Sequence, residues 1–309
     1  MPIIRINADG SRMRPGKGEP LPCFRTAAQG RGPVIVMIHG YKYLPGHPDH
    51  CPHRRVLSLH PVTSDIRMQS WPRRLGFGAG YADEGLGVAF GWNARGALWT
   101  AQASAVAAGE ALAETIARLH RHAPDRPLHV LSHSMGTEVA LQALPHLPSG
   151  SVNRIVSLTG ACYQSRAQDA LDTPAGRKVD FFNVVSREND TFDFLYERLI
   201  SPPRAGDRSI GQGFEAPNAV TLQIDCPRTL EHLERLGHPL AAPQRRICHW
   251  SSYTRHGILR FYNALMRQPD RFPLHSLRGA MPQRPSPRWS RLLAPPALPV
   301  PLPFLQNAS

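Results

Sequence analysis

Six short apolar runs, at residues 34–38, 87–92, 128–131, 155–158, 179–185 and 219–224, constrain this chain more than any other feature. They are rich in β-branched and aromatic residues and show little polar alternation, which is the pattern of strands buried on both faces. Such strands occur where crossover helices cover a parallel sheet, and the segments between the runs have the spacing to supply those helices. The clearest carries Leu98, Ala101, Ala105, Ala108, Leu112, Ile116 and Leu119 three or four residues apart, with Pro124 just beyond its end. Val139, Ala140, Ala143 and Leu144 mark a second helix stopping near Pro145, residues 257–266 suit a closing helix, and residues 3–8 read as an edge strand. The expected class is therefore α/β, with a mostly parallel central sheet flanked by helices.

A chain of 309 residues can enclose one large core. The composition changes near residue 279, where Pro282, Pro285, Pro287, Pro295, Pro296, Pro299, Pro301 and Pro303 forbid regular structure. The expected partition is a domain over 1–278 and a Pro/Arg-rich extended or disordered tail over 279–309. No apolar run approaches the roughly 18 residues of a membrane span, and residues 1–6 lack the pattern of a secretory signal. Cys23, Cys51, Cys162, Cys226 and Cys248 are widely spaced, odd in number and without a C-x-x-C pair, so they read as reduced thiols of a cytoplasmic protein. The net charge of +13 comes almost wholly from scattered arginines, with Lys17, Lys42 and Lys178 the only lysines. Specific nucleic-acid binding calls for a clustered footprint, and none is visible.

Against this frame, Ser132-His133-Ser134-Met135-Gly136 follows one strand run and opens a helix. A serine hydroxyl becomes a useful nucleophile when a sharp turn exposes it beside a base and amide donors. That turn needs small residues two positions before and after the serine, here Ser132 and Gly136. Asp190 lies just beyond the 179–185 run and His249 precedes the closing helix, so an orienting carboxylate and a base follow in workable order. His39-Gly40-Tyr41 ends the first central run; the amides of Tyr41 and Met135 could converge on a developing oxyanion. His256 competes with His249, and Glu188, Asp193 and Asp225 compete with Asp190; His133 reads as a packing residue. His47, His50, Cys51 and His53 are possible zinc ligands, but two prolines and short uneven spacing disfavour a closed local site.

These residues resemble the α/β-hydrolase superfamily over roughly residues 33–267, in particular its small bacterial esterase-like or lipase-like members. The resemblance implies a Ser134, His249 and Asp190 triad, an oxyanion hole at Tyr41 and Met135, and no metal or organic cofactor. The expected activity is hydrolysis of a small-molecule carboxylic ester through an acyl-enzyme. Two alternatives are a catalytically silent scaffold that binds a partner through its basic surface and tail, and an acyltransferase using the same serine.

Overall fold

Eight strands form one sheet in the computed structural model, which describes residues 3–16, 18–62, 68–282 and 284–293. They are β1 (Ile3–Asp9), β2 (Arg12–Pro15), β3 (Val34–Ile38), β4 (Leu86–Gly91), β5 (Leu128–His133), β6 (Arg154–Leu158), β7 (Asp180–Val185) and β8 (Ala219–Gln223). Their order is β2-β1-β4-β3-β5-β6-β7-β8; β1 and β2 form an antiparallel hairpin at one edge and every other pairing is parallel. The six expected runs are all strands, and the hairpin partner β2 is an addition that its Arg-Met-Arg-Pro sequence does not announce.

Alternation along the strands divides the core in two. Val34, Val36, Ile38, Val88, Phe90, Val130, Ile155 and Phe181 face one layer of helices: α1 (Phe24–Ala28), α3 (Leu98–His122), α4 (Gly136–Ala143) and α5 (Gln164–Leu171). Ile35, Met37, Ala89, Leu131, Val156, Phe182, Val184 and Leu222 face the other layer, which includes α2 (Trp71–Arg74), α7 (Pro227–Arg235), α8 (Ser251–Thr254), α9 (Ile258–Arg267) and α10 (Leu274–Ala280). Full burial of such side chains contributes roughly 1.5–3 kcal/mol each. Small residues on α3, including Ala105, Ala108 and Gly109, let it lie directly against α4. The chain steps outwards from β3 to β4 and then crosses to the other side of β3 to make β5. The loops leaving β3 and β5 therefore diverge, the arrangement that in open α/β sheets places ligand sites at the carboxyl end of the strands.

Residues 284–293, expected to belong to the tail, lie against the carboxyl ends of β7 and β8, and α10 runs across the boundary drawn at 278. Ser286 N–H donates to Gln223 Oε1 at 2.7 Å, Arg187 to Ser290 Oγ at 3.0 Å, and the last helix, α11 (Ser290–Leu293), follows. Proline disfavours long helices and strands but not an extended arm whose remaining polar groups bond to the domain. Residues 294–309 lie outside the described residues.

Four buried histidines carry a consequence for stability. Burial lowers His39 and His129 to about 3 and His53 and His133 to about 4, so all four stay neutral in the folded protein near neutral pH. The unfolded chain protonates them near 6.5, so their contribution is intact above that pH and is lost as pH falls below it. We expect the urea midpoint to drop steeply between pH 6.5 and 5, at up to roughly 1.4 kcal/mol per pH unit for each proton taken up on unfolding. A midpoint unchanged across that range would refute the neutral assignment.

Candidate active site

At the end of β5 the chain reverses within two residues. Ser134 takes φ 53° and is one of four non-glycine residues with positive φ among those described. This conformation costs an L-residue about 1–2 kcal/mol and persists because the surroundings over-determine it. Ser134 N–H donates to Leu158 O, and Ser134 O accepts from Thr137 N and Ala161 N, all at 3.0 Å, so β5, α4 and the end of β6 meet at this residue. A Cβ at Gly136 would stand 2.6 Å from His39 O, and one at Gly40 would stand 2.8 Å from Ser134 Cβ. At the other small position, Ser132 Oγ bonds Thr137 Oγ1 at 3.1 Å, and Thr137 Oγ1 bonds Ser157 Oγ at 3.0 Å. The hydroxyl of Ser132 is thus satisfied inside the core, which explains how serine stands there. Ser134→Gly should raise stability by about 1 kcal/mol through release of the left-handed strain, and Ser134→Ala should change it by less than about 0.5 kcal/mol; equal denaturation midpoints for the two variants would contradict this.

The turn after β3 is fixed by a latch. Trp92 N–H donates to His39 Nε2 at 3.1 Å, His39 Nδ1–H to Gly40 O at 2.9 Å, and Trp92 Nε1–H to His39 O at 3.0 Å, with the two rings stacked at 5.6 Å. Gly40 and Tyr41 are thereby tied to the end of β4, and Tyr41 OH donates to Gly96 O at 2.6 Å. The amides of Tyr41 and Met135 enter none of the backbone hydrogen bonds of the surrounding turns.

His249 sits on the segment before α8, and three sets of contacts hold that segment against the ends of β5, β6 and β7. Its carbonyl accepts from His133 Nε2 at 3.2 Å, and the two imidazoles lie 4.7 Å apart. Thr159, also at positive φ, bonds Ser252 through its hydroxyl at 3.1 Å. Glu188, buried after β7, forms an ion pair with Arg255 and accepts Arg245 N–H at 3.1 Å, while its carbonyl accepts Cys248 N–H at 2.7 Å. Phe192 stacks on the His249 ring at 4.6 Å. Burial holds the His249 pKa well below its usual value, so the imidazole is neutral. Removing one partner of a buried pair strands the other, so Glu188→Ala should cost about 3–5 kcal/mol; a loss below about 1 kcal/mol in urea denaturation would show that the pair does not anchor this segment.

The carboxylate expected beside His249 is not Asp190. Its Oδ2 accepts the Trp289 amide at 2.6 Å, because the first turn of α6 (Asp190–Leu199) turns it towards the C-terminal arm. His249 Nδ1 instead faces Asn189 Oδ1 at 2.6 Å. Asp225 pairs with Arg187 at 2.8 Å, and His256 is exposed. Asp193 is buried one turn along α6, and burial raises its pKa to about 7. Asn189 and Thr159 escaped the sequence reading because neither is charged and neither occupies a motif position; a search for carboxylates passes over an amide. His133, expected to pack, does so and also donates to the His249 carbonyl. His47, His50 and Cys51 serve their own loop: His47 Nδ1 accepts Asp49 N–H at 3.1 Å and Cys51 Sγ accepts Gly46 N–H at 3.3 Å. His53 Nε2 meets Asn7 Oδ1 at 2.7 Å. Among the described residues no group of three or more histidine, cysteine or acidic side chains is arranged to hold a metal ion. A cavity of about 1190 Å³ between the 213–217 loop and Arg278, Met281 and Pro285 is lined by none of the site residues.

Residues 25–158 match the family model described as "Alpha/beta hydrolase of unknown function (DUF900)". This part of the chain is an α/β-hydrolase-superfamily domain. The matched span of the hydrolase domain runs from α1 to the end of β6 and includes Gly40, Ser134 and Gly136; Asn189 and His249 lie beyond it. No curated protein matches the chain. No helix among the described residues is long and apolar enough to cross a membrane.

Proposed function

We propose that this protein is a serine hydrolase acting on carboxylic esters, with Ser134 as nucleophile, His249 as base and Asn189 as the group that orients the imidazole. The observation that supports the reading is the left-handed Ser134 at the β5–α4 turn, together with the neutral His249, whose carbonyl is held by His133, the residue before Ser134. In this reading Ser134 Oγ attacks the ester carbonyl carbon as its proton passes to His249 Nε2. The carbonyl electrons move to oxygen, which the Tyr41 and Met135 amides receive. Collapse expels the alcohol with the proton from His249, and water repeats the sequence to release the acid. Met135 precedes α4 directly, so its amide also carries the positive end of the helix dipole.

The silent-scaffold reading draws on one observation, the amide at His249 Nδ1 where a carboxylate would stabilise the imidazolium. Labelling with a fluorophosphonate probe separates the two. A stoichiometric adduct on Ser134, absent from Ser134→Ala, is the expected result. A folded protein that takes up no probe would favour the scaffold.

A further inference from the structure

An asparagine amide presents an oxygen and a nitrogen of nearly the same shape, and which end faces a histidine settles where the imidazole proton resides. With Asn189 Oδ1 at His249 Nδ1, the ring donates from Nδ1 and keeps Nε2 as a proton acceptor. With the amide reversed, its N–H would donate to Nδ1, the ring proton would move to Nε2, and the base would be lost. Something must break the symmetry, and the structure contains one group suited to it.

Asp193 lies four residues after Asn189, one helical turn along the same face. Asp193 is 3% exposed, and its i, i+4 spacing brings its carboxyl towards the Asn189 amide, which favours the ionised form. The carboxyl is itself held in place. Ser209 Oγ donates to Oδ1 at 3.3 Å, and Gly211 packs so closely that a Cβ there would stand 2.2 Å from Oδ2. Asp190 on the same helix and Arg288 on the C-terminal arm are the charges that face it, and Arg288 is also paired with Glu197 at 3.0 Å. An ionised carboxylate only accepts, so it can bond the NH₂ end of Asn189 and not the oxygen.

We infer that Asp193 is a positioning residue, which sets the Asn189 amide and through it holds His249 as the Nδ1–H tautomer with Nε2 free to accept a proton. The inference rests on the hydrolase reading for its catalytic meaning, but the tautomer itself is a property of the folded chain. Its pH dependence follows from the raised pKa: the relay is complete when Asp193 is ionised, above about pH 7, and weakens as the carboxyl protonates. The tautomer is read directly by ¹⁵N NMR of the imidazoles in the full chain, with His249→Gln used for assignment, and the fluorophosphonate labelling rate is measured beside it. At pH 8 the wild type should show the Nδ1–H form. Asp193→Leu, which keeps the branched shape and removes the acceptor, should shift the proton towards Nε2 and slow labelling by roughly 10²-fold. The double variant Asn189→Asp/Asp193→Leu, which puts a carboxylate directly against Nδ1, should restore both. A wild type in the Nε2–H form, which needs no variant to detect, overturns the inference; so does Asp193→Leu with unchanged tautomer and rate. If the tautomer responds as expected and no variant labels at Ser134, the relay stands and the hydrolase reading falls. If the wild type labels and Asp193→Leu labels equally fast in the same tautomer, the reverse holds.

Discussion

The close approach of three chain segments at Ser134 is the constraint from which the rest of the site follows. A parallel strand must hand over to a helix there within two residues, so the backbone is forced into the left-handed region and has no room for side chains at Gly40 or Gly136. The strain is tolerable because the Ser134 peptide groups are bonded into β6 and α4 at once. The same crowding brings the end of β3 beside the turn and explains why His39 is spent on a latch to Trp92.

The second half of the site depends on a different kind of interaction. His249 comes from a segment without regular structure, and its position is set by polar contacts with β7 and its following turn, above all the buried Glu188–Arg255 pair. Packing locates β5; charge locates His249. The residues nearest the imidazole, by contrast, are neutral: His133 is uncharged and Asn189 is an amide. Burial keeps the His249 imidazole unprotonated in these surroundings.

The large positive charge also acquires a structural meaning. Arg126 donates to Gly32 O, Arg154 to Leu265 O, Arg267 to Leu75 O and Glu84 O, and Arg278 to Ala219 O. Guanidinium groups used in this way satisfy carbonyls where strands and helices stop, at separate places around the domain. They raise the net charge while satisfying the fold's own carbonyls.

The strands, the α/β class and the turn at Ser134 were legible in the residues themselves, because each rests on a local rule: apolar runs too short for helices, three-and-four spacing in 98–119, and small residues around one serine. The partner of His249 was not legible. Asn189 and Asp190 are neighbours in a turn, and which of the two side chains faces the imidazole depends on how the first turn of α6 is rotated against β7, and on the arm at residues 284–293 that takes the Asp190 carboxylate. Likewise the proline-rich composition after residue 279 speaks against long helices and strands but carries no information about docking, which needs acceptors such as Gln223 and Asp190 presented by the fold. Chain-local geometry can be read from order and spacing; the orientation of an amide or the docking of an arm is a balance among groups far apart in sequence, and it exists only once the fold has brought them together.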